Sequence, residues 1–239
     1  MKTSIKILGA SVAFAALVAA CGPASALTVY TVGLSNGTTP GGDPGVASGQ
    51  TLVDDFNSSI PESNETDTGG VALYNGTSGI AAEPYGDTTQ YEALQPGQTA
   101  TFTFASNVKS VSAYLGSIDT YNYIDVLGAG GKVDYQITGP DLLLNNYGNQ
   151  TAAITNRRIF ISNLPSDFSG LTFGTTGIAF EYDDIYAGTA ANPTPPVGNL
   201  IPAAIPEPAS WAMMLIGFGA IGGAMRTARG KGLLITAPA

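Results

Sequence analysis

Almost every side chain in this sequence that can do chemistry ends in oxygen. The chain has no His and a single Cys, Cys21, among its 239 residues. Between residues 27 and 200 there is also no Met and no Trp, whereas all eleven Tyr lie there. Zinc sites, haem ligation and Cys- or Ser–His catalysis are therefore excluded. Carboxylates, hydroxyls, amides and phenols remain. Such groups hydrogen-bond polyhydroxylated ligands and hold hard cations such as Ca²⁺ or Mg²⁺. A pair of carboxylates also hydrolyses glycosidic bonds. The same segment has 17 acidic residues against four basic ones, Lys109, Lys132, Arg157 and Arg158. With so few cations to meet phosphates, nucleic acid is excluded as a partner.

The most concentrated mixture of these groups lies at residues 117–123. Asp119, Tyr121, Asn122 and Tyr123 combine aromatic planes with hydrogen-bonding groups. Sugars need that mixture, because one face is rich in C–H and the rim carries hydroxyls. These four are the candidate carbohydrate-binding residues, and Tyr85, Tyr91 and Tyr147 are further candidate stacking faces. Glu62, Glu65, Glu83, Glu92 and Glu181 supply the glutamates a hydrolase would need. Their spacing sets no two of them across a cleft, so no catalysis is expected.

The elements that must carry these residues are strands. Charged residues are only 11% of the chain, below the usual share of about 25%. The 31 Gly and 15 Pro point to many turns. Hydrophobic period two recurs in residues 99–104, 132–138 and 177–183, the last placing Ile178, Phe180 and Tyr182 on one inward face. Further strands are expected at 27–34, 50–56, 71–74, 108–115, 121–127, 151–162 and 171–174, separated by turn signals such as Pro40-Gly41-Gly42 and Asn75-Gly76. Residues 35–49 and 57–70 read as surface loops. The pattern predicts an all-β fold, a single jelly-roll β-sandwich over residues 27–190.

Both ends differ from this body. Lys2 and Lys6, the apolar run 7–20 and Ala24-Ser25-Ala26 form a signal peptide over residues 1–26, with Leu27 as the first mature residue. Val18-Ala19-Ala20-Cys21 also resembles a bacterial lipobox, which would lipidate Cys21. A Pro-rich linker is expected at 191–205. After Pro206-Glu207-Pro208 come Trp211-Ala212, a Gly-rich apolar run to Met225, and Arg226, Arg229 and Lys231. The run reads as a short transmembrane helix with the tail 232–239 in the cytoplasm.

Pro206, Glu207, Pro208, Trp211, Ala212, the apolar span and the spread basic stop of Arg226 and Arg229 resemble the PEP-CTERM sorting tail in its PEPxxWA form, over residues 206–231. The resemblance implies exosortase as processing partner and delivery to the cell surface or an exopolysaccharide matrix, after transient anchoring in the inner membrane. By the same analogy the cut falls near residues 206–208. The body is similar to the sandwich passengers of such proteins, which are like galactose-binding-like or carbohydrate-binding modules. In those folds the first and last strands adjoin and can share a structural Ca²⁺, which makes Asp54, Asp55 and Asp184 candidate ligands. The expected function is structural or adhesive, with polysaccharide as ligand. A secreted carboxylate-dependent glycoside hydrolase and an ice-binding protein with the same tail stay open. The latter requires a flat threonine array, of which Thr101-Phe102-Thr103 is the one visible step.

Overall fold

Alternation between buried and exposed side chains writes the fold strand by strand. The computed structural model describes residues 27–34, 41–57, 64–142, 145–203, 215–222 and 226. The expected signal peptide and the sorting residues Pro206, Glu207, Pro208, Trp211, Ala212 and Arg229 lie outside the described residues. A helix covers residues 215–222, and Arg226 is helical and exposed. Among the described residues no helix is long and apolar enough to cross a membrane.

The compact body is Leu27–Ile205. Its strands, in chain order, are β1 (Thr28–Gly33), β2 (Gln50–Asp54), β3 (Glu65–Thr68), β4 (Ala72–Asn75), β5 (Gln90–Leu94), β6 (Thr99–Thr103) and β7 (Ser110–Gly116). Then follow β8 (Asn122–Leu127), β9 (Val133–Thr138), β10 (Arg157–Ser162), β11 (Gly170–Thr175), β12 (Phe180–Gly188) and β13 (Asn199–Pro202). The larger sheet has the order β13-β1-β10-β7-β12-β5-β4, and β2 also pairs with β12. The smaller sheet has the order β3-β6-β11-β8-β9. The strand pairs are antiparallel, as expected for a sandwich joined by turns rather than by crossover helices.

The two sheets meet across one core. Val111, Ala113, Leu115, Ile159, Ile161, Phe180 and Tyr182 enter it from the larger sheet, and Ala100, Phe102, Ile124, Val126, Leu171 and Phe173 from the smaller. Its centre is aromatic. Phe173 and Tyr182 stack across the sheets with ring centroids 4.4 Å apart and planes at 24°, and Phe102 meets Tyr182 edge-on at 6.3 Å. Phe56, just after β2, closes the cluster edge-on against both Phe102 and Tyr182. Offset stacked and edge-to-face pairs add to the burial of each ring.

The outer face of the larger sheet is buried too. Asp43, Ala82 and Tyr85 bond to Arg158, Glu181 and Tyr114 on that face, and β7 and β10 are buried at every position. Arg158, on that outer face, is fully buried and makes two hydrogen bonds to Asp43 and one to the Asp184 carbonyl.

Four expectations are corrected. Glu65–Thr68, expected as loop, is β3, and Gln90–Leu94 is the unanticipated β5. The body does not end at residue 190. Asn199–Pro202, placed in the linker, pairs with β1 along Tyr30–Gly33. Ile178 lies before β12 and is 58% exposed, while Phe180 and Tyr182 face the core as expected.

Phe173 touches Phe102, Phe180 and Tyr182 and is fully buried. Phe173→Ala is expected to cost about 3–5 kcal/mol in urea unfolding. A loss below about 1 kcal/mol would show that the aromatic cluster does not join the sheets.

Candidate functional site

Strand β12 alternates an aromatic core face with an acidic outer face. Phe180 and Tyr182 point inward, so Glu181 and Asp183 point outward. Glu181 is 2% exposed and both of its oxygens are bound. Oε1 accepts the Ala82 N–H at 2.9 Å, and Oε2 accepts the Ser117 hydroxyl at 2.8 Å. Above it opens a cleft of about 450 Å³. Asp119, Tyr121, Tyr147, Gln150, Ile80 and Ile178 line its walls.

Two devices hold this wall. The Asn156 side chain, 1% exposed, accepts the N–H of Tyr85 at 3.1 Å and of Ser117 at 3.3 Å. Its amide donates to the Ala152 carbonyl at 3.1 Å. One side chain thus fixes three loops that converge on the cleft. The second device is Gly148, whose φ of +70° suits glycine. A Cβ there would lie 2.7 Å from an Asp119 carboxylate oxygen, so only glycine lets this loop lie against Asp119.

The four residues expected to contact sugar separate into three locations. Asp119 and Tyr121 share the cleft, the Tyr121 hydroxyl donating to the Asp119 carboxylate at 2.6 Å. The same hydroxyl also reaches the Ile178 carbonyl. Asn122 is buried and serves as a brace. Its carbonyl accepts the Asp119 N–H at 2.6 Å, and its amide donates to Thr175 and to the Ala179 carbonyl. Tyr123 lies on the outer face of the smaller sheet, over Gly174, where a Cβ would be 2.2 Å from its ring. Tyr147 joins the cleft, whereas Tyr91 is fully buried and donates to the Gly76 carbonyl at 3.1 Å. Asn156 and residues 78–82 were missed, and Glu181 was named only among the glutamates a hydrolase would need. Only the alternation of β12 hinted at them, because the loops that meet Glu181 come from far along the chain.

The suggested Ca²⁺ residues do not converge. The resemblance implied adjoining first and last strands, and β2 does pair with β12, Asp54 opposite Ile185. Yet Asp54 accepts the Phe56 N–H at 2.7 Å and Asp55 the Asn57 N–H at 3.1 Å, both local turns. Asp184 instead faces the Arg158 guanidinium at 3.9 Å. The threonine array is larger than the sequence indicated. Thr66, Thr68, Thr99, Thr101, Thr103 and Thr172 share the outer face of the smaller sheet, and Thr101 and Thr172 are hydrogen-bonded at 2.8 Å. Asp125 and Tyr123 interrupt it on β8.

Comparison with known families matches the PEP-CTERM protein-sorting motif to residues 204–229. The chain carries a PEP-CTERM sorting tail. The tail implies processing by exosortase and export to the cell surface or extracellular space. No curated protein matches the chain. Two solved structures are similar to it. One comes from work on the Ruminococcus flavefaciens cellulosome and its expansion in glycan recognition. It is 15% identical, covers 62% of this chain and 100% of its own, and has a TM-score of 0.34. The other is the family 11 carbohydrate-binding module of the cellulosomal cellulase Lic26A-Cel5E of Clostridium thermocellum. It is 12% identical, covers 61% of this chain and 97% of its own, and has a TM-score of 0.32.

The outward carboxyls of β12 make stability depend on pH. Burial raises Glu181 from 4.5 to about 7, with the Asp119 charge adding to the rise and the Ala82 and Ser117 hydrogen bonds opposing it. Burial, then the Asp87 carboxyl, raises Asp183 from 3.8 to about 9. Both folded pKa values lie above the unfolded ones. The stabilisation they bring is complete below about pH 4 and is lost as pH rises through about 7 and about 9. The melting temperature should therefore be higher at pH 5 than at pH 8. Glu181→Gln should remove the part of the slope that falls between about pH 4.5 and about pH 7, on the order of 3 kcal/mol. A maximum at pH 8, unchanged by that substitution, would contradict the assignment.

Proposed function

We propose that this is an exosortase-processed surface or matrix protein whose sandwich binds extracellular polysaccharide in the cleft of Asp119 and Tyr121. The observation that carries the reading is the lining of that cleft. Two phenol side chains, Tyr121 and Tyr147, line it together with the Asp119 carboxylate and the Gln150 amide. A sugar ring is met in that way, with stacking on its C–H face and hydrogen bonds to its rim. A cleft of about 450 Å³ suits a short stretch of such a chain.

The role is binding rather than catalysis. A glycosidase needs a carboxylic acid free to give its proton to the leaving oxygen. Glu181 has the raised pKa of such an acid, but its oxygens already hold the Ala82 N–H and the Ser117 hydroxyl. Its place is in the floor of the cleft.

In this reading residues 1–26 are removed on export, the sandwich is the mature body, and residues 206–231 are the sorting segment, anchored transiently in the inner membrane. Intact mass of the protein from its native host is expected to give a chain from Leu27 to near residues 206–208. A chain beginning at a lipidated Cys21 with the tail still attached would overturn the processing scheme.

Binding is tested on an array of bacterial polysaccharides, followed by calorimetry on the best ligand. Asp119→Asn and Tyr121→Ala should each weaken binding by about tenfold or more. A blank array at high protein concentration would leave a purely structural role. Hydrolysis of any polysaccharide that is abolished by Glu181→Gln would replace binding with catalysis.

A further inference from the structure

Three inward carboxyls meet where the two sheets close on each other, away from the cleft. Glu65 and Asp67 lie on β3 opposite Phe102 and Ala100, two core residues of β6, so their side chains enter the sandwich with those residues. Thr66 and Thr68, between and after them, are exposed. From the other sheet, Glu92 on β5 lies opposite Tyr182 and accepts its hydroxyl hydrogen at Oε1. One carboxylate oxygen from each of Glu65, Asp67 and Glu92 lies within 4.8 Å of the other two.

A cluster of acids alone says little, since acids gather on surfaces without any ion. Glu92 is the second observation. Its side chain is fully buried, and its Oε2 meets no hydrogen-bond donor among the described residues; its carboxyl neighbour is Glu65. Asp67 Oδ1 is buried and likewise meets no donor, and the Asp67 carboxyl also neighbours Glu65. Buried carboxylate oxygens are ordinarily satisfied, and an exception indicates an ion or a proton. Burial, with the neighbouring Glu65 and Asp67 carboxyls, raises Glu92 from 4.5 to about 10, against the opposing Tyr182 hydrogen bond. The group is thus poor in positive charge.

We propose that Glu65, Asp67 and Glu92 bind one Ca²⁺, which ties β3 of the smaller sheet to β5 of the larger. Chemistry and size select the ion. The donors are all hard oxygens, which excludes the softer metals. A Ca²⁺ about 2.4 Å from all three oxygens needs them within roughly 4.2 Å of one another. They lie within 4.8 Å, so the group needs at most a small inward shift to reach one ion. Mg²⁺, at about 2.0–2.1 Å, spans less and keeps several waters, which a buried site does not favour. Bidentate carboxylates supply the further oxygens that Ca²⁺ takes. This site differs from Asp54, Asp55 and Asp184, and it does not depend on the cleft binding sugar.

The full-length protein, stripped with EDTA and dialysed against CaCl2, should retain about one Ca²⁺ per chain by elemental analysis. Its melting temperature should rise by about 5–10 °C with Ca²⁺ at 100 times its Kd. Glu92→Gln should abolish both effects, and Asp67→Asn should weaken binding by about tenfold or more. Both substitutions keep the size of the side chain, and each is read as the difference between the variant's own melting temperatures with and without Ca²⁺. Asp55→Asn should retain the ion. The proposal fails if the wild type retains no Ca²⁺, if both cluster variants retain it unchanged, or if Asp55→Asn loses it.

Discussion

The two faces of strand β12 govern the molecule. Because side chains alternate across a strand, placing Phe180 and Tyr182 in the core obliges Glu181 and Asp183 to face outward. The inward pair closes the aromatic cluster that joins the sheets. The outward pair must then be covered and hydrogen-bonded, and the loops over the larger sheet do this. After Asp183 the strand carries an extra residue against β7, with Asp184 at a φ of +52°. That bulge resets the alternation, so Ile185 and Ala187 return to the core. It also turns the Asp184 carbonyl to Arg158.

Burying both faces of a sheet in a thiol-free protein sets a polar problem that the loops answer. Arg158 has no exposed surface, and its hydrogen bonds reach Asp43, Ser112 and the Asp184 carbonyl. Gln50 continues this network to Ser112 at 2.8 Å. Such an arrangement adds modest net stability, because desolvating the charge offsets much of the attraction. Its effect is positional: residue 43, β2, β7 and β12 are brought into one register. Arg157, the preceding residue, performs the same office at the opposite face, donating to the Thr31 hydroxyl and to carbonyls of Thr31 and Asn199. Two adjacent arginines thereby hold the edge and the roof of the larger sheet.

Period two identified the strands whose inward residues are apolar, such as Phe102 on β6 and Ile124 on β8. It failed at β3 and β5, where Glu65, Asp67 and Glu92 occupy inward positions. A carboxylate at an inward position reads as surface, so Glu65–Thr68 looked like loop. The failures thus fall on the residues of the proposed cation site, where local pattern and global fold disagree. Strand β13 was hidden for a different reason. Its four residues have mixed burial, and only pairing with β1 makes them a strand. Of the cleft, Asp119 and Tyr121 were legible because their types suit sugars. Asn122 and Tyr123 share those types, but the turn before β8 sends one inward and the other to the far face. Glu181 and Asn156 were beyond reach, since their partners lie up to 99 residues away.

The position of β1 has a consequence for how the body is made. This strand, the first of the domain, lies between β10 and β13, and its Thr28 meets Ser162, 134 residues later. A polypeptide emerging N-terminus first, from a ribosome or through a membrane pore, therefore presents a strand whose neighbours have yet to appear. No local hairpin can capture it, and such non-local pairing is slow to form. Local pairs such as β4–β5 and β8–β9 can form early, but the larger sheet is complete only when Pro202 is available. The order of strands thus sets completion of the larger sheet at the very end of the domain's emergence.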